Sequence, residues 1–184
     1  FITSGVGCSN PASVVLIPNG LMFQSSKGIW LLGRDLSIQF IGKEVEDFNA
    51  CAVLSSQTIP GTNEVRFTLG SSGQTLMYDY FAGQWDQVTN VPSIGSVVYK
   101  GLHTNIQTSG SISQETANVY LDGGVPTTLG FTTGWINLAG LQGYIRAYRM
   151  FLLGKFLSPH TYTVGIAYDY NHQIVQTATI NPTN

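Results

Sequence analysis

The chain has 184 residues, 43% of them hydrophobic, so it can bury a real core. Charged residues make up only 10% and the formal net charge is −2, against about 25% charged residues in ordinary soluble domains. The eight basic residues are scattered singly, which excludes the clustered footprint that phosphate neutralisation requires, and no apolar run approaches the length of a membrane-spanning helix.

The polar surface must therefore come from neutral groups: 34 residues are Ser or Thr and 11 are Gln. So little charge gives weak self-repulsion, as suits a subunit made to sit against neighbours. The segment from Phe1 to Gly7 lacks the basic start and apolar core of a secretory leader. The text opens on Phe1 in mid-pattern, and upstream sequence is expected. Cys8 and Cys51 lack CxxC spacing and are expected as free, partly buried thiols of a protein made in a reducing compartment.

Along the chain, 21 glycines and seven prolines punctuate short apolar runs with period-two alternation. The expected fold class is all-β. A first group of strands covers Ser13–Ile17, Leu21–Gln24, Ile29–Leu32 and Leu36–Ile41. A second covers Ala52–Ser55, Glu64–Leu69, Thr75–Phe81 and Gln84–Val88, with Pro60-Gly61-Thr62-Asn63, Gly70-Ser71-Ser72-Gly73 and Ala82-Gly83 as turns. A looser third group holds Ser96–Tyr99, a polar run from Thr104 to Glu115, and Ala117–Leu121 ending at Asp122-Gly123-Gly124.

The phrases Ile29-Trp30-Leu31, Leu76-Met77-Tyr78 and Val119-Tyr120-Leu121 stand 47 and 43 residues apart. Four strands repeating at this period predict propeller-like blades. Three of them cannot close a ring, so residues 1–130 are expected to be part of a larger propeller. In the second group Val65, Phe67 and Leu69 should pair with Leu76, Tyr78 and Tyr80 on one face. Trp85 should seal the gap to a neighbouring blade. From about residue 131 to 184 the texture changes to longer alternating stretches, Leu141–Phe156, Tyr162–Tyr170 and Gln173–Ile180, which predict a β-sandwich-like meander.

No constellation carries chemistry. His103, His160 and His172 are far apart and fit no metal spacing. Glu44, Glu46 and Asp47 read as a solvated connector rather than a catalytic acid pair, and Asp122-Gly123-Gly124 as a turn rather than a calcium loop. No Gly-x-Ser-x-Gly elbow or phosphate loop exists. Arg146 and Arg149, three apart on an extended stretch, point to opposite faces, one to solvent or a partner and the other to a tyrosine. Neither catalytic nor cofactor nor metal-ligating residues are assigned, and no cofactor is expected.

The phrases Gly7-Cys8-Ser9-Asn10-Pro11, Asn19–Trp30, Asn63–Phe67 with Leu76–Tyr80 and Gln84-Trp85, and Gly143–Arg146 with Leu152-Leu153-Gly154 and Ile166–Tyr170 together resemble text in propeller-bearing tail tube or nozzle proteins of short-tailed bacteriophages. That resemblance implies a non-enzymatic structural role in the virion tail, copies of the chain in a ring, contacts with other tail or portal proteins, and non-specific DNA in the lumen; a membrane is not implied. A carbohydrate-binding β-module for host adsorption is the alternative, with Tyr78-Asp79-Tyr80 or Tyr168-Asp169-Tyr170 as the aromatic rim. A sialidase-like enzyme is the third reading, and its repeated Ser-x-Asp-x-Gly-x-x-Trp turns are missing.

Overall fold

A computed structural model describes residues 5–70, 73–116, 119, 121–122, 125–126, 128–137, 148–153 and 160–181. The fold is all-β, built from antiparallel sheets. The chain divides into two compact units, Phe1–Tyr120 and Leu121–Asn184.

In the first unit, β1 (Asn10–Ile17), β2 (Gly20–Ser25), β3 (Gly28–Gly33) and β4 (Ile38–Phe40) form one sheet in sequence order. β5 (Val53–Thr58), β6 (Glu64–Leu69), β7 (Thr75–Asp79) and β8 (Gln84–Val88) form a second. β9 (Ser93–Tyr99), β10 (Leu102–Gln107) and β11 (Ile112–Gln114) form a third. Asn10, Val53 and Ser93, which open the three first strands, are 43 and 40 residues apart. The sheets therefore recur at these spacings rather than at 47 and 43, and the described residues contain no closed ring of blades.

The first strand of each sheet lies against the first strand of the next. Hydroxyls lace them together. Ser56 Oγ donates to the carbonyls of Ala12 (2.9 Å) and Val14 (3.2 Å), and Thr58 Oγ1 to that of Leu16 (2.8 Å). On the other side of β5, Ser55 Oγ meets Ser96 Oγ at 2.8 Å and Gln57 Nε2 donates to the Ser96 carbonyl. The Ser and Thr content thus satisfies backbone groups where two sheets meet without a shared ladder.

Between the first two sheets the core is apolar. Val15, Ile17, Met22 and Ile29 pack with Val53, Val65, Phe67, Leu69, Leu76 and Tyr78, and Val45 plugs one end. Two of the expected pairs are present, Val65 with Tyr78 and Phe67 with Leu76 across β6 and β7, whereas Leu69 pairs with Val53 of β5 and Tyr80 lies beyond the end of β7. Trp85 stacks on Tyr78 at 4.7 Å and on Phe67 at 6.0 Å. Gly20 lets β3 pair closely with the start of β2, since a Cβ there would run into the Leu32 carbonyl.

Several expectations need correction. The polar run from Thr104 to Glu115, placed in the third group without strand bounds, supplies most of β10 and all of β11. It went unread because strands buried under polar neighbours need no apolar alternation. The third strand of the third sheet is accordingly β11, while Val119 lies outside any strand. Ala117, Asn118 and Tyr120 lie outside the described residues. Glu44, Glu46 and Asp47 are exposed, as expected, but sit on 3-10 turns within Gly42–Phe48 anchored by buried Val45. Phe81 belongs to a turn and is exposed. Leu36 has φ of 65° in the turn before β4.

In the second unit the described residues form two hairpins, β12 (Leu121–Asp122) with β13 (Val125–Pro126) and β14 (Tyr162–Ile166) with β15 (Gln176–Ile180). Of the stretch Leu141–Phe156, residues 148–153 are exposed and take no regular structure. Arg149 is among them, whereas Arg146 lies outside the described residues. The tips Ser71-Ser72 and Gly123-Gly124 also lie outside them.

Candidate functional site

β6 carries two chemistries on its two faces. Val65, Phe67 and Leu69 point to the first sheet, and Arg66 and Thr68 point the other way. Cross-strand register puts Gln57, Ser55 and Thr75 on that second face. Opposite them stand Ser96, His103 and Asn105 of the third sheet, so the seam between sheets two and three is polar.

Arg66 is the centre of that seam, with 12% of its side chain accessible. Its Nη2 lies 2.9 Å from Glu64 Oε2, while Nη1 and Nη2 reach Glu115 Oε2 and Oε1 at 2.8 and 3.2 Å, a fork on one carboxylate. Burial pulls against the guanidinium charge, but the hydrogen bonds to Glu115 and Glu64 more than offset it and hold the pKa above its ordinary value. His103 is 3% exposed. Burial first, and the charge of Arg66 second, push its pKa down to about 4, with Glu115 pulling the other way. The imidazole is therefore neutral at pH 7. Its Nδ1 lies 3.5 Å from Asn105 Nδ2, and its backbone carbonyl accepts from Glu115 N–H at 3.0 Å.

Sequence reasoning missed this cluster. Arg66 and Glu115 lie 49 residues apart, so only the stacking of the sheets brings them together. It is an ion-pair network in which Arg66 bridges two carboxylates. Among the described residues, no three His, Cys, Asp or Glu side chains gather as metal ligands.

A shallow hollow of about 530 Å³ lies beside the start of β1. Its polar groups are already engaged with one another. Gln24 Nε2 donates to the Cys51 carbonyl (2.9 Å), and Asn10 Nδ2 donates to that of Val53 (2.7 Å). The arrangement braces one sheet against the next. Cys51 lines it as a half-buried free thiol, while Cys8 is exposed rather than partly buried.

The two aromatic motifs diverge. Tyr78 is buried in the core, and Asp79 is spent on the turn, where Oδ1 accepts from Phe81 and Ala82 N–H at 2.8 Å. That motif presents no rim. In the second unit, Tyr168 and Tyr170 are exposed, and Tyr170 stacks on Trp135 at 5.2 Å. His172 meets the same indole edge-on at 5.5 Å, and His160 meets Tyr162 at 4.6 Å.

The third sheet has one further face. Register places Val97 and Tyr99, Leu102 and Ile106, and Ile112 together on the side away from Arg66. All five are exposed, Ile112 at 73%. Comparison with protein-family models, curated proteins and solved structures finds no match to this chain.

Proposed function

We propose that this chain is a non-enzymatic structural subunit that assembles with copies of itself. On the sequence resemblance, we place it in the tail tube or nozzle of a short-tailed bacteriophage, in a ring through which DNA passes or is retained, beside other tail or portal proteins.

The observation that carries the assembly reading is the group of exposed apolar side chains Val97, Tyr99, Leu102, Ile106 and Ile112, which share one sheet face with a buried Thr104 and its partner Gln114. Contiguous exposed apolar patches mark interaction surfaces. The opposite end of the stack is apolar too: register sets Leu16, Leu21, Leu32 and Ile38 on one face with Phe23, Trp30 and Phe40, of which Leu16 is exposed, Phe23 is buried and the rest are half-buried. Trp30 Nε1 is buried there without a hydrogen-bond partner. Two unlike faces at opposite ends of one stack suit a head-to-tail contact, the kind that closes into rings. Such contacts continue the packing already used between the sheets, and 10% charge offers little to oppose them.

Sedimentation of two double variants tests this. Ile106→Glu with Ile112→Glu blocks one face, and Leu16→Glu with Leu21→Glu blocks the other. Each variant alone should be monomeric, and an equimolar mixture should form a one-to-one dimer through the intact faces. A parent chain that remains monomeric at high concentration overturns the assembly. A virion map that places the chain off the tail axis overturns the tail assignment.

A further inference from the structure

We propose that the turn at Tyr168–Asn171, inside the loop between β14 and β15, with Trp135 and His172, is a saccharide-binding platform in the second unit. It is independent of the assembly reading, because it uses none of the sheet faces of the first unit.

The backbone of the turn supplies the first argument. Asp169 and Tyr170 have φ of 55° and 58°, and Asn171 N–H donates to the Tyr168 carbonyl at 3.0 Å. Two consecutive left-handed residues closed by this bond make a type I′ turn, for which Asn-Gly is the least strained choice. A bulky tyrosine at positive φ is an outlier, and such strain persists at functional sites where the surroundings hold it. At the position where glycine costs least, this chain displays a ring.

The ring's setting supplies the second argument. Tyr170 is 67% exposed and Trp135 39%, although each touches the other. With His172 edge-on to the same indole, three exposed or half-exposed rings cluster at angles to one another beside solvent. The neighbouring residues of the turn bring exposed polar groups, the Asp169 carboxylate and the Tyr168 hydroxyl, which donates to Gln176 Oε1 at 3.1 Å. Aromatic faces flanked by a few polar groups suit a ligand with both C–H faces and hydroxyls, which is the surface of a sugar ring. The carboxylate at the tip disfavours a polyanion. Centroids 5.2 and 5.5 Å apart leave no space between rings for an ammonium group, which would need a cage of faces around it.

The test is titration of the full chain with maltohexaose, cellohexaose and chitohexaose, followed by tryptophan fluorescence and calorimetry. At least one should give a saturable signal. Trp135→Ala and Tyr170→Gly should each weaken it by at least about tenfold. Tyr170→Gly relieves the positive φ, so its melting temperature should hold or rise while binding falls; a merely structural tyrosine would leave affinity unchanged. Absence of a saturable signal with all three sugars overturns the proposal. So does saturable binding of tetramethylammonium that displaces the sugar.

Discussion

The indole N–H of Trp85 donates to the carbonyl of Ile41 at 2.8 Å, across 44 residues of chain. This bond fastens the outermost strand of the second sheet to the segment that leaves the first, with Tyr78 and Phe67 stacked on the same ring. Trp85→Ala should destabilise the first unit by about 3 kcal/mol or more through lost packing and an orphaned carbonyl. Trp85→Phe should cost less, because it keeps an aromatic body. A denaturation midpoint for the alanine variant equal to the parent's would refute the assignment.

Arg66→Lys should cost about 1–2 kcal/mol, since one ammonium cannot reproduce the fork on Glu115 together with the bond to Glu64. Glu115→Gln should cost under about 1 kcal/mol, because its side chain is half exposed and water screens the pair. Urea midpoints of the two variants check the order, and a larger loss for Glu115→Gln would reverse it.

His103 makes stability depend on pH with a definite sign. Its folded pKa, about 4, lies below the ordinary value of 6.5. As pH falls through 6.5 the unfolded chain takes up a proton that the folded chain refuses until about pH 4. The contribution is full above 6.5 and is lost between 6.5 and 4, up to about 3 kcal/mol. Urea midpoints at pH 4.5 and 7 should converge for His103→Gln relative to the parent. Parallel slopes for the two would exclude His103 as the source.

Gly20→Ala should destabilise by at least about 1–2 kcal/mol, because φ at Gly20 is positive and the new methyl meets backbone rather than a side chain that swings aside. Gly61→Ala, also at positive φ but with open space around it, should cost less. Thermal melts of the pair separate the steric cost from the conformational one.

Local rules were enough to place β6 and β8 residue for residue, because period-two alternation and turn residues such as Asp79 and Gly83 act over a few positions. The same alternation told which residues of β6 share a face. It did not tell what each face would meet. A polar strand face reads as solvent-exposed in any sequence, yet Arg66 and Thr68 are covered by the third sheet. For the same reason the bounds of β10, which holds His103 and Thr104, were not legible in the polar run.

The sequence by itself determined the all-β class, the hairpin turns and the apolar pairing of Val65 with Tyr78 and Phe67 with Leu76, since these follow from side-chain alternation and backbone preference between neighbours. Only the tertiary structure decided that Tyr78 is buried while Tyr170 is displayed, and that Arg66 meets a glutamate 49 residues away. Tyr78-Asp79-Tyr80 and Tyr168-Asp169-Tyr170 repeat one local pattern. Their fates differ because the first motif starts on a strand covered by another sheet, and the second lies in the loop between β14 and β15, where Asp169 and Tyr170 take left-handed backbone.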